Sequence, residues 1–161
     1  MTLPQQAFAG VSGRIIDGLT LEVGLRWEDW SSTDEIRYEL DTPIAVPPQS
    51  VEVQERDWHD TFAFMVGGKY RLNEIFTLLG GYLYGKDAVP DRTFEPAVPD
   101  SSTHLFTIGS DIEFKDFKLA LSYGYQHQED RDKQTNFWGP IANGAYKSKI
   151  HLAGVSLSYR F

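Results

Sequence analysis

The chain contains no cysteine, which excludes a disulfide framework and any thiolate metal site. It has no excess of positive charge either. Its 15 Lys and Arg residues face 23 Asp and Glu, for a formal net charge of -8. Nucleic-acid binders depend on clustered cations, so that partner class is excluded. No run approaches the roughly 18 apolar residues of a membrane-spanning helix. Residues 1–9 lack both the basic stretch and the apolar core of a secretory leader, which points to a piece of a longer protein. His59, His104, His127 and His151 are dispersed, without the spacing of a metal site. There is no nucleophile–base pair, phosphate-binding loop or dinucleotide fingerprint. The chain is therefore expected to be neither an enzyme nor a holder of metals or cofactors.

What is present is aromatic residues and alternation. Of the 161 residues, 14% are aromatic, including 8 Tyr and 10 Phe. Mean hydropathy is -0.36, a value that suits a soluble domain. It equally suits a membrane barrel whose strands alternate apolar-out with polar-in. The alternation is explicit. Leu19, Leu21, Val23, Leu25 and Trp27 interleave with Thr20, Glu22, Gly24, Arg26 and Glu28. The same period of two recurs from Phe62 to Leu72, Phe76 to Tyr84, Phe106 to Phe114, Phe117 to Tyr125 and Ala153 to Phe161. An amphipathic helix has a period of 3.6 and does not give this pattern.

The connections alternate in length. Residues 16–18, 71–74 and 115–116 form tight turns, whereas 41–50, 87–102 and 128–145 are long, polar and bear Pro or Gly. Short periplasmic turns and long outer loops are the pattern of outer-membrane barrels. The predicted fold is thus all-β, a single domain over residues 1–161 built as an antiparallel transmembrane β-barrel. Its expected strands are 6–16, 19–40, 51–72, 75–87, 103–114, 117–127 and 147–161. Strand 19–40, bulged near Ser31-Ser32, is expected to pair with 51–72 as one long hairpin that projects outward. Seven strands leave two open edges, which lipid does not tolerate. The sheet therefore needs an N-terminal half, a second copy of the chain, or an eighth strand made from 31–40.

Parity assigns the two faces. Arg14, Glu22, Arg26, Glu28, Glu35, Arg37, Glu39, Lys69, Arg71, Asp111, Glu113, Lys118 and Arg160 point inward. Their mixed signs suit cross-strand ion pairs. Outward aromatics are lipid contacts, and Trp27, Trp30, Tyr82, Tyr84, Tyr123 and Tyr159 are the candidate membrane anchors at the interfaces.

Specific residues then suggest a family. Trp27-Glu28-Asp29-Trp30-Ser31-Ser32-Thr33-Asp34-Glu35 resembles a segment of the FadL/TodX (OMPP1) outer-membrane transporters. Asp60 followed by Gly67 and Tyr70-Arg71-Leu72-Asn73 resembles that family's next strand and turn. Gly81-Tyr82-Leu83-Tyr84, Val89-Pro90, Arg92, Pro99-Asp100-Ser101 and His104 continue the likeness, and Val155 to Phe161 resembles the closing strand. The resemblance implies a 14-stranded barrel with an N-terminal hatch, of which these strands match the second half, without the hatch or the kinked early strand. It implies passive passage of hydrophobic molecules such as long-chain fatty acids across the bacterial outer membrane. Outer-membrane lipid and lipopolysaccharide are then the implied surroundings, and the barrel-assembly machinery is a partner. That machinery would read Val155, Leu157, Tyr159 and Phe161 as its signal. Arg26, Arg37 or Lys69 is the candidate contact for a fatty-acid carboxylate. Thr103 stands where family members often carry Arg, which removes one such contact. Two alternatives remain: a structural barrel without transport, closed as a small monomer or a dimer, and a soluble β-sandwich or lipocalin-like binder.

Overall fold

The computed structural model describes residues 4–44, 49–96, 99–134 and 143–161. Among these residues nine strands form two separate sheets. The large sheet contains β1 (Gln6–Ile16), β2 (Leu19–Glu28), β5 (Thr61–Arg71), β6 (Phe76–Gly85), β7 (Thr103–Phe114), β8 (Phe117–Lys133) and β9 (Gly144–Tyr159). They follow one another in that order, every neighbour antiparallel. The small sheet is a hairpin of β3 (Glu35–Ile44) and β4 (Gln49–Glu55).

Local chemistry sets the tight turns. Gly18 adopts φ +82, and a Cβ there would lie 2.9 Å from the Arg71 carbonyl oxygen. Only glycine fits that left-handed, crowded position. In the next turn the Asn73 side chain accepts the backbone N–H groups of Ile75 and Phe76 at 2.8 and 2.9 Å, an Asx turn. These turns share the end of the sheet opposite the long connections, which places the long connections outside the cell.

The register puts residues of one parity on one face. Trp27, Leu25 and Val23 lie opposite Phe62, Phe64 and Val66, and the stripe continues through Tyr82, Phe106, Tyr125 and His151. This face is apolar yet open, with Phe64 58% and Ile108 63% exposed. A soluble sandwich would bury such side chains, so that reading fails. An apolar face with no protein cover, on a sheet with satisfied backbone, is the design of a lipid-facing wall.

Two expectations need correction. The long strands 19–40 and 51–72 do not exist as such. After Glu28 the chain leaves the wall through a one-turn 3-10 helix, Trp30–Ser32. Thr33 N–H donates to the Trp30 carbonyl at 2.9 Å, and Arg56 N–H closes the neck against the Asp34 carbonyl at 2.7 Å. Beyond that neck, residues 35–44 pair only with 49–55. The same observation removes the eighth-strand option, because 31–40 adds nothing to the wall. Glu35, Arg37 and Glu39 therefore belong to the separate hairpin and do not face a lumen. The last hairpin is longer than expected, reaching Lys133 and starting again at Gly144, with a register shift between Gln128 and Arg131.

Candidate functional site: the inner wall and its cap

The opposite face of the large sheet is concave and lines a cavity of about 790 Å³. Glycines occupy much of it: Gly10 pairs with Gly24, and Gly67 with Gly81. Gly109 and Gly124 share the same inward parity. Without side chains the backbone itself forms part of the surface, which widens the concavity. Larger apolar residues cluster toward the extracellular end. Met65 lies opposite Leu83, which lies opposite Leu105, and Phe8 approaches from the edge strand. Charges gather toward the periplasmic end, where Glu22, Lys69 and Asp111 line the same cavity.

Among the three candidate cations, the structure brings only Lys69 to this cavity. It faces Thr20 and Leu79 across the strands and has no ion pair or hydrogen bond among the described residues. Arg26 is held by Glu28 at 3.3 Å on its own strand. Arg37 pairs with Glu35 at 2.9 Å in the outer hairpin. Farther down the wall, Lys118 bridges Asp111 at 2.6 Å and approaches Glu113 at 3.6 Å, one of the cross-strand pairs that the mixed charges suggested.

Above the cavity the connections fold into a compact cap. Phe94 is fully buried beside Trp58 and Val89, with Trp30 and Tyr146 packed against them. Trp30 meets Trp58 edge-on, ring centroids 5.3 Å apart. Its ring thus belongs to the cap core, which corrects its assignment as a membrane anchor. Trp27 stays on the outward face and donates its indole N–H to Asp60 at 3.1 Å. Ser31 N–H donates to the other oxygen of the same carboxylate. Hydrogen bonds from Ser31, then from Trp27, hold the Asp60 carboxyl below its ordinary value. Tyr82, Tyr84, Tyr123 and Tyr159 share the outward parity of Trp27.

Polar contacts lock the cap. Arg131 donates to Asp91 at 2.8 Å and to the carbonyls of Asp100 and Val89 at 2.7 and 2.5 Å, its guanidinium 4.7 Å from the Phe94 ring. Arg56 binds Glu95 at 2.6 Å while its carbonyl accepts the Thr93 hydroxyl. Asp100 receives the N–H groups of Ala88 and Val89. Arg92 bridges Glu55 and Asp57 at 3.0 and 3.3 Å. Reading the sequence for chemistry missed Phe94, Arg131 and the buried Lys133. They lie in irregular or polar stretches where periodicity gives no signal.

The unclosed antiparallel wall, apolar outside and cavity-bearing inside, defines a transmembrane β-barrel protein of the outer membrane. The comparisons narrow this further. The family model of the outer membrane protein transport proteins (OMPP1/FadL/TodX) matches residues 1–161, so the chain belongs to that family. Its fold matches the crystal structure of a Pseudomonas aeruginosa FadL homologue with a TM-score of 0.76 at 18% identity. That match covers 97% of this chain but 35% of the homologue, so the chain spans about a third of its length. No curated protein matches the chain. The family places the protein in the bacterial outer membrane.

Proposed function

We propose that this chain forms part of the wall of a barrel that lets hydrophobic molecules, long-chain fatty acids among them, cross the outer membrane without an energy source or cofactor. The observation that carries the reading is the concavity of about 790 Å³, apolar toward the outside and charged toward the periplasmic end, where Lys69 lines it. Met65 and Lys69 are four residues apart on β5, roughly 13 Å at the rise of a strand. An acyl chain can lie along Phe8, Met65, Leu83 and Leu105 while its carboxylate meets the unpaired Lys69 ammonium.

Strands that complete the wall are part of this proposal. Because the seven strands alternate in direction, β1 and β9 run the same way. A second copy standing beside the first would meet it in parallel at both seams. An odd number of further strands closes the barrel antiparallel, so a different segment fits better than a copy. The barrel-assembly machinery is the proposed receiver of Val155, Leu157, Tyr159 and Phe161, which β9 and the terminus leave open to the outside.

The test compares oleate with methyl oleate, by equilibrium binding to the amphipol-held protein and by uptake into liposomes containing it. Lys69→Met is expected to weaken oleate binding about tenfold, the range of a charge-assisted hydrogen bond, and to leave the ester unchanged. Equal loss for both ligands would remove Lys69 from carboxylate contact. Absence of uptake with a fully folded barrel would leave a structural wall and no transporter.

A further inference from the structure

The outward face is not uniform at its extracellular rim. On β2 and β5 the rim residues are Trp27 and Phe62, as in an ordinary aromatic girdle. On the next four strands the same rim is a titratable row. Tyr84 lies opposite His104, His104 opposite His127, and His127 opposite Lys149. One step toward the membrane, His151 follows Tyr125 on the same face. At the usual strand spacing the row is about 14 Å wide. It ends the apolar stripe that climbs β8 through Leu121, Tyr123 and Tyr125, so it sits at headgroup depth.

Some of these groups are already committed. His104 Nδ1 bonds the Tyr82 hydroxyl at 2.8 Å and its Nε2 reaches Glu129 at 3.2 Å. Asp130 is paired with Lys147. That uses both nearby carboxylates. Lys149 has no ion pair or hydrogen bond among the described residues. His127 Nδ1 is buried without a partner. His151 Nδ1 is 2.6 Å from the Tyr123 hydroxyl. When that hydroxyl donates, the ring proton sits on Nε2, a donor free to act outward. The rim thus keeps two imidazoles and one ammonium, Lys149, that forms no ion pair among the described residues and meets Asp130 only at longer range, directly above bare apolar wall.

We propose that Lys149, His127 and His151 bind the phosphate of an outer-leaflet glycolipid, whose acyl chains lie on the apolar wall below. The occupant must carry an anion and hydrocarbon at adjacent depths. A phosphorylated lipid meets both demands, whereas an acidic protein segment or a free anion would leave the stripe below it uncovered. The proposal rests on the outer-membrane location and is independent of transport. The acidic groups beside the row, Glu129 and Asp130, are held by His104 and Lys147.

The experiment uses the full chain in bicelles. It measures retention of bisphosphorylated lipid A and of its dephosphorylated form by native mass spectrometry. The phosphorylated lipid is expected to bind at least tenfold tighter than the dephosphorylated one. Lys149→Gln should lower retention of the phosphorylated lipid about tenfold. His127→Leu with His151→Leu should lower it severalfold and leave the dephosphorylated lipid unchanged. Lys115→Gln, at the periplasmic end, should change nothing and shows that folding and charge count are not the cause. Equal retention of the two lipids, or unchanged retention in Lys149→Gln, overturns the proposal. Displacement of the lipid by millimolar inorganic phosphate would assign the row to soluble anions and equally overturn it.

Discussion

The wall and the cap are built from one chain by opposite rules. In the wall the large apolar side chains face out, and Val155 is 75% exposed. In the cap the large apolar side chain faces in, and Phe94 has no exposed surface. The wall is held by its backbone ladders and by lipid, which has no water to compete for N–H and C=O groups. The cap is held as a small soluble domain is, by burial of Trp58, Val89 and Phe94 and by charge-assisted bonds from Arg56 and Arg131. The family's recognisable residues follow this division. Trp30, Asp60, Val89, Arg92 and Asp100 all act at the junction or within the cap. The cavity is lined mainly by small or aliphatic residues, of which Gly67 and Gly81-Tyr82-Leu83 share in the likeness.

If the two regions are independently stabilised, the largest effect comes from emptying the cap core. Phe94→Ala should cost about 3–5 kcal/mol of cap stability, the range for a fully buried aromatic. Hydrogen exchange is expected to accelerate at residues 86–96 and 129–133 while the amides of β5 to β7 stay protected. Equal acceleration in the wall would make cap and wall one cooperative unit and dissolve the comparison.

The wall is tested by neighbours of opposite parity. Ile108 shares the outward parity of Tyr123 and is 63% exposed; Thr107 has the inward parity of Gly81 and Gly124. Ile108→Arg should cost about 2–4 kcal/mol near the bilayer midplane. Thr107→Arg reaches water and loses one hydrogen bond to the Gly81 carbonyl, about 1 kcal/mol. Urea unfolding in lipid vesicles separates the two. Similar costs would mean that the face assignment, and with it the inside-out wall, is wrong.

The wall was legible in the sequence because period-two alternation fixes both strand and face. Leu19 to Trp27 and Phe62 to Tyr70 lie where alternation puts them, paired as it requires. The outer hairpin was legible as strand but not as a separate sheet. Glu35, Ile36, Arg37, Tyr38 and Glu39 alternate just as wall residues do, and a local period carries no information about which sheet a strand joins. Trp30 was misplaced for a related reason. The 3-10 turn after Glu28 takes its ring out of the strand's parity and into contact with Trp58, 28 positions away in sequence. The cap core was invisible because Val89 and Phe94 stand in irregular backbone, where burial follows from long-range packing alone. Lys69 was found as one of three cations, but only the register shows that it is the one lining the cavity.

Lys133 gives the smallest and sharpest contrast. A lysine on the wall's rim would reach water, whereas in the cap Lys133 is 1% exposed and its ammonium has no hydrogen-bond partner. Asp91 stands 4.0 Å away and the Phe94 ring 5.8 Å. Burial holds the amine below its ordinary value, partly opposed by Asp91 and reinforced by Arg131. The unfolded cap then binds more protons than the folded one between that lowered value and the free-lysine value, about 10.4. Stability must rise with pH across this window. Below the window the amine is charged in both states, and its desolvation cost is present in full. Lys133→Met removes both the cost and the slope. The variant cap is expected to be more stable by about 1 kcal/mol at neutral pH, as when a poorly compensated buried charge becomes apolar. Its stability should also lose the rise with pH that the parent shows below the free-lysine value. Native-state proteolysis of the cap across that window measures both. A destabilised variant would mean that Asp91 and the Phe94 ring more than offset the burial of the charge, and the cap would then be held at this point by electrostatics rather than by its apolar core.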